Sequence, residues 1–340
     1  MDPQIFAQSL KREAALYIAK LFDLPDLPRS RVHDITNGFT QFLNNSPITI
    51  LFMHLLNSLE FLNESPNNLL AMKTMLALIL NPFEELRTEH QCLQHFEDTD
   101  TYIPPIEVVV GTKKRYKNIK DEIISTNENI TVQVIPLQQV LQKFFELPNV
   151  FELTLTYISN LENEKILYSN IIQGLKWREK KNFGERIVFP ILFYQDDYET
   201  NNPLGSRKGL GKLGTVYIII PCLPPSLRSK VENIFLLSLH KCDDLQYVTL
   251  KTMLSRAIVE LKSLESTGIT IRTSSGQHQI YFSLAGVIGD NLAIHSMLGF
   301  VGSFSSHYPC RFCLINRADI NSTFDESDCI LRTDENYKND

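Results

Sequence analysis

The sequence predicts an α+β chain, an all-helical N-terminal region followed by a mixed α/β core, and three observations carry that reading. The first hundred residues place apolar side chains at helical spacing, with prolines at the joints between segments. From Phe183 onward, short runs of β-branched and aromatic residues alternate with helical stretches. Two of those runs, Ile187 to Tyr194 and Gln279 to Ile288, lead directly into acids: Asp196, Asp197 and Glu199 after the first, Asp290 after the second.

Taken in order, residues 4 to 23 form an amphipathic helix on Ile5, Phe6, Leu10, Ala14, Ile18, Leu21 and Phe22, stopped by Pro25 and Pro28. Further helices are expected over residues 30–42, 48–62 and 66–80, the third of these four nearly all apolar and expected to be buried. Residues 84–105 are polar and acidic and read as a tether. Ile106 to Val110 and Ile130 to Ile135 are strand-like, separated by a basic stretch that suits a surface loop, and helices resume over residues 137–145 and 150–161. After the strand ending in Asp196 come a turn at Asn201-Asn202-Pro203 and Gly205, a strand over residues 215–220, helices over 226–240 and 247–266, and a hairpin of 269–273 with 278–288. Asn291 to Leu298 has helical spacing behind Asp290.

With about 100 to 200 residues to a domain, 340 residues give roughly two. The expected division is a helical domain at 1–103, a mixed connector at 104–182, the core at 183–300, and a cysteine-bearing segment with a polar tail at 301–340. No apolar run is long enough to cross a bilayer and the N-terminus lacks the layout of a signal peptide, so no membrane partner is expected. Six cysteines, scattered apart from one C-x-x-C, do not form a disulfide framework and favour a cytosolic or nuclear setting.

A formal charge of -6 argues against nucleic acid binding over the whole surface and leaves local basic tracks. Two stand out: Lys113-Lys114-Arg115-Tyr116-Lys117, and Lys176-Trp177-Arg178-Glu179-Lys180-Lys181, which holds the only tryptophan. Cations interleaved with an aromatic ring suit phosphate contact and base stacking. A solvated helix end gives the same pattern. The candidate nucleic-acid residues are Lys113, Lys114, Arg115, Lys176, Trp177 and Arg178.

Carboxylates held side by side repel unless a hard divalent cation lies between them, which makes Asp196, Asp197 and Asp290 candidate ligands for magnesium or manganese. Strand alternation points Asp197 away from Asp196, so Asp196 and Asp290 are the preferred pair. An aspartate after a strand also serves as a turn residue or helix N-cap, and Asp290 fits that role too. Further on, Cys310 and Cys313 have the spacing with which two thiolates address one tetrahedral zinc ion. That is half a site; His307, His295, Cys329 or residues past 340 would complete it.

Gly209-Leu-Gly211-Lys-Leu-Gly214 satisfies G-x-G-x-x-G but is followed by a strand, Thr215 to Ile220, where a dinucleotide fingerprint opens a helix. Lys212 is followed by Leu213, so no Walker motif exists either, and no nucleotide cofactor is expected.

Tyr194-x-Asp196-Asp197-x-Glu199-x-x-Asn202-Pro203-Leu204-Gly205-Ser206, then Lys212-Leu213-Gly214-x-x-Tyr217, then Leu223-Pro224-Pro225 resembles the transposon-derived proteins of animal genomes related to CACTA (EnSpm) transposases. Leu264-Glu265-x-x-Gly268-Ile269, Gly289-Asp290-Asn291-Leu292-x-x-His295, Gly299-Phe300 and Cys310-Arg311-x-Cys313 continue it in the same order, so that it covers about residues 137–337. The resemblance implies an RNase H-like core with a DDE triad, Asp196 as first catalytic acid and Asp290 as second, the C-x-x-C lying in an insertion before the final glutamate. It implies in-line attack of water, then of a DNA 3′ hydroxyl, on a phosphodiester between two metal ions. The third acid of the family is expected well downstream of Cys313, whereas the sequence stops at Asp340; neither Glu326 nor Glu335 is promoted to that role. The expected product is therefore a partial core, incomplete at its C-terminus, in a truncated or domesticated transposase-like protein of the nucleus that binds transposon ends and forms a homo-oligomer. An active nuclease completed by another chain and a non-enzymatic zinc-stabilised interaction module are the alternatives.

Overall fold

The computed structural model describes all residues except 1, 63–64, 120–121, 165, 181–183, 202–210, 302–304 and 340. The expected turn residues Asn202, Pro203 and Gly205, the loop glycine Gly209 and the basic Lys181 lie outside the described residues. The chain divides into two compact units, Met1–Ile103 and Pro104–Asp340. Among the described residues, no helix is long and apolar enough to cross a membrane.

The first unit is helical: α1 (Pro3–Phe22), α2 (Arg29–Asn45), α3 (Pro47–Phe61), α4 (Pro66–Leu80) and α5 (Glu89–Asp98). Proline at the first turn of α1, α3 and α4 costs no hydrogen bond there, and Asp2, Ser46 and Ser65 cap those helices by accepting from backbone N–H groups. Its core is small, built on Ala14, Ile18, Val32, Phe83, Leu86 and Cys92. The tether expected over residues 84–105 contains α5 instead, started by a capping box in which Thr88 and Gln91 satisfy each other's backbone N–H groups. Nor is α3 buried. Only Leu56 is, while Ile48, Ile50, Leu51 and Phe52 are exposed, because so small a unit has no second layer to cover an all-apolar helix.

The second unit holds a mixed seven-stranded sheet of β1 (Ile106–Ile119), β2 (Glu122–Val134), β3 (Ile187–Glu199), β4 (Lys212–Ile219), β5 (Phe235–Lys241), β6 (Ile269–Thr273) and β7 (Gly276–Ile288). Its spatial order is β1-β2-β5-β4-β3-β7-β6, antiparallel throughout except that β3 and β7 run parallel. Its helices are α6 (Leu137–Phe145), α7 (Val150–Asn163), α8 (Leu175–Lys180), α9 (Pro225–Arg228), α10 (Leu250–Met253), α11 (Ser255–Ser266), α12 (Asn291–Leu298) and α13 (Asp334–Asn339).

Alternation on β3 sends Phe189, Ile191, Phe193 and Gln195 into the interior. Phe145 of α6 stacks on Phe189 at 4.9 Å, and Phe151 of α7 meets the same ring edge-on. Glu260 of α11 accepts from Leu137 N–H at 2.8 Å and so ties the start of α6 to α11. The helix expected over residues 226–240 is a correction: after the one-turn α9 the chain forms β5, an inner strand between β2 and β4. An apolar run of that length fits a buried strand as well as a helix, and here pairing to both neighbours decides. Likewise the basic stretch after Val110 is no loop, since β1 continues through it to Ile119 and pairs with β2 along its length.

Candidate active site at the ends of two parallel strands

Parallel pairing of β3 and β7 sets Tyr194 opposite Ile288. Asp196 stands two residues past the first and Asp290 two residues past the second, so both carboxylates emerge at the same rim on adjacent strands, whose backbones lie about 4.8 Å apart. A bulge makes this possible. Ile191 pairs with Leu284 and Leu192 with Gly286, leaving Ala285 as an extra residue in β7. Without it the two acids would fall out of register by one position and onto opposite faces.

Both aspartates are exposed, and each has one oxygen fixed by backbone. Asp196 Oδ1 accepts from Asp197 N–H at 2.8 Å, and its Oδ2 accepts the Tyr194 hydroxyl at 2.9 Å. Asp290 Oδ1 caps α12 by accepting from Ala293 N–H at 2.6 Å. Tyr194 reports the charge of both: its hydroxyl pKa is raised by the bond to Asp196, by burial, and by the charges of Asp196 and Asp290. Asp290 thus fills the N-cap role and still belongs to the acidic pair, because a cap uses one oxygen.

Asp197 does not join them. It pairs in register with Gly214, which pairs with His240, so the three fall in one row across β3, β4 and β5 on the other face. There Asp197 bonds the Cys242 thiol, whose pKa is pushed up to about 12 by burial and then by Asp197. His240 is 2% exposed with neither ring nitrogen bonded, and beside it the buried Ser238 hydroxyl and Gln195 Oε1 are also without partners.

The cysteine segment is tied to the same rim. Arg311 Nη1 donates to Asn291 Oδ1 at 2.7 Å, tying a guanidinium to the residue that follows Asp290. In the sequence Arg311 is only a spacer inside the C-x-x-C, and nothing there marks it as a neighbour of the acidic rim. Phe312 N–H donates to Cys310 Sγ at 3.3 Å, and Cys313 receives a bond from Ile315 N–H, the kind of donor that steadies a thiolate. Cys313 pairs with Leu331 in a short bridge, backed by Leu314 N–H to Ile330 O at 2.8 Å, and this clip brings Cys329 into bonding contact with Cys313. Burial works against the Cys310 thiolate, but the N–H groups of Phe312 and Cys313 and the Cys313 thiol outweigh it and hold its pKa below the ordinary value. Cys313 is pushed up to about 11 by burial and by Cys310.

Of the expected zinc ligands, then, Cys313 contacts Cys310 on one side and Cys329 on the other. His307 is exposed, and the buried His295 turns its Nδ1 to Val301 O at 3.2 Å. Among the described residues, no three His, Cys, Asp or Glu side chains converge closely enough on one point to hold a metal ion. The donor chemistry nevertheless fits: two exposed carboxylates suit a hard cation completed by phosphate oxygens and water, and three thiols suit zinc.

The basic tracks separate. Lys113 bonds Asp244 at 2.5 Å, Arg115 lies 3.6 Å from Glu128, and Lys114 is exposed. Lys176 is 95% exposed and pairs with Glu179. Trp177 is buried in the hydrophobic core, so its ring packs against protein and offers no face to a base. Arg178 is exposed.

No protein-family model matches this chain, and no curated protein matches it significantly.

Proposed function

We propose that this chain is a transposase-like DNA-binding protein whose sheet is an RNase H-like core bearing two acids of a DDE set, Asp196 first and Asp290 second. The observation that carries the reading is the parallel register of β3 and β7, which brings the two carboxylates to one rim. It is supported by strand order: β3, β4 and β5 form an antiparallel meander, and β7 returns parallel to β3 on its free side. The resemblance to CACTA-type transposases supplies the substrate class, DNA, and with it the nucleus as the place of work.

Asp196 and Asp290 would hold magnesium or manganese, which when bound polarises a phosphodiester and makes a hydroxyl nucleophile available at neutral pH. The protein's own part is positional. The Tyr194 hydroxyl and Asp197 N–H fix the Asp196 carboxylate, and the α12 cap fixes that of Asp290. Arg311 stands where it can take a phosphate oxygen by a charge-assisted bond. We assign no residue to the third acid.

The test is binding of the full chain to labelled duplex DNA in Mg2+ and in EDTA. Tighter binding in Mg2+ that disappears in Asp196→Asn and in Asp290→Asn supports the reading; binding indifferent to Mg2+, or none, contradicts it. A second reading, a zinc-stabilised interaction module, is favoured by the contact of Cys313 with both Cys310 and Cys329. It would stand alone if zinc removal unfolded the protein while neither DNA nor Mg2+ bound.

A further inference from the structure

The β1–β2 hairpin is long for its sheet. β2 pairs with β5 only over Val132–Val134, yet β1 and β2 remain paired from Gly111↔Ile130 out to Ile119↔Glu122. Nine residues on each strand make a ribbon about 30 Å long at roughly 3.3 Å per residue. Its root is braced: Lys113 bonds the buried Asp244, and Gly111 passes so close to Val248 that a Cβ there would lie 2.7 Å from its side chain.

The two faces of this ribbon differ in chemistry. One carries Lys113, Arg115 and Glu128, whose charges are paired with Asp244 or with one another. The other carries the cross-strand pairs Thr112↔Asn129, Lys114↔Asn127 and Tyr116↔Ser125, every one of them exposed and none an acid. That face offers amides and a hydroxyl that can bond base edges, a cation, Lys114, with no acid paired to it among the described residues, and a tyrosine 66% exposed.

We infer that the β1–β2 ribbon lies in the major groove of duplex DNA and reads base edges with its Lys114, Asn127 and Asn129 face. A B-form major groove about 12 Å wide admits a two-stranded ribbon. Asparagine matches the N6 and N7 edge of adenine bidentately, and lysine matches guanine O6 and N7. Double-stranded RNA is a poor fit, because its major groove is too narrow for side chains to read. The inference shares with the proposed function only the class of partner, DNA; it does not depend on the acidic pair.

The experiment selects bound duplexes from a randomised DNA pool with the full chain in EDTA, so that cations at Asp196 and Asp290 contribute nothing. The expected result is an enriched sequence. On it, Lys114→Ala/Asn127→Ala/Asn129→Ala binds about tenfold or more weakly and loses preference over a scrambled duplex. Thr126→Ala, on the other face, keeps wild-type affinity, and duplex RNA of the same sequence competes poorly. The inference is overturned if the wild type binds no duplex in EDTA, if the triple variant keeps affinity and preference, or if RNA competes equally. Failure of the metal reading alone would leave this selection unchanged and abolish only the Mg2+ effect.

Discussion

Tyr194 donates its hydroxyl to Asp196 Oδ2 at 2.9 Å on one face of β3, and the charge of Asp290 on the neighbouring strand acts on the same ring. Asp197, one residue along, bonds Cys242 on the other face. Two adjacent acids thus part company, Asp196 joining Asp290 of the neighbouring strand's end and Asp197 standing apart, because side chains on a strand alternate.

The bulge at Ala285 gives a direct test of that geometry. Deleting Ala285 should move Asp290 out of line with Asp196 while leaving the β6–β7 hairpin, which pairs upstream of it, intact. The expected outcome is loss of Mg2+ binding with retained sheet content by circular dichroism. Unchanged cation affinity would show that the shared register is irrelevant.

Asp290 caps α12, and the proposed function gives it a cation to hold as well; substitution separates the two. Asparagine caps helices as well as aspartate does, so Asp290→Asn should melt within a degree or two of wild type yet fail to bind cations. Asp290→Ala should lose about 0.5–2 kcal/mol as well, measured by urea denaturation.

Gly214 is held small by His240. A Cβ at Gly214 would lie 2.4 Å from His240 Nε2, and both residues sit on inner strands. Gly214→Ala should destabilise by about 1–3 kcal/mol through overpacking. Gly214→Ala/His240→Ala should cost less than the sum of its parts, and strict additivity in that cycle would refute the contact.

The same histidine sets a pH dependence. Burial lowers the His240 pKa below its ordinary 6.5, against the opposing charges of Asp197 and Asp244. Above about pH 6.5 it is neutral folded and unfolded, and its contribution is constant. As pH falls below that value the unfolded chain takes up the proton first, so stability drops by at most about 1.4 kcal/mol per pH unit until the folded pKa is passed. In His240→Gln the decline between about pH 6.5 and 5.5 should be shallower, read from urea midpoints.

If the thiols hold zinc as the second reading proposes, Cys329→Ser should release it as completely as Cys313→Ser does, whereas His307→Ala should retain it, measured by metal analysis of the purified protein. Equal retention in Cys329→Ser would remove it from the set.

Much of this architecture is legible in the sequence, and the failures share a cause. Segments whose ends carry local chemistry are readable: proline and serine announce α3 and α4, and Asp290 announces α12. The capping box at Thr88 and Gln91 is the sequence's own sign of α5, obscured by the polar composition around it. What pairing decides is not readable. The run Phe235 to His240 has no period that separates strand from helix, and the polar β1–β2 ribbon has no apolar alternation, its described residues from Thr112 to Tyr116 and from Ile124 to Asn129 being exposed or half-buried on both faces. The acids Asp196 and Asp290 can be picked out one by one, but the extra residue that aligns them is visible only once β3 and β7 are paired. Cys329 lay among several candidate ligands, and only the bridge of Cys313 with Leu331 distinguishes it.

The central claim is that Asp196 and Asp290 hold one cation site between two parallel strands. Titrating Mn2+ into the full chain, with free ion followed by electron paramagnetic resonance, tests it most directly. The account predicts that the wild type sequesters Mn2+ and that Asp196→Asn and Asp290→Asn each abolish most of that binding, while Asp197→Asn leaves it in place. A wild type that leaves all the Mn2+ free, or single variants that bind as it does, would contradict it.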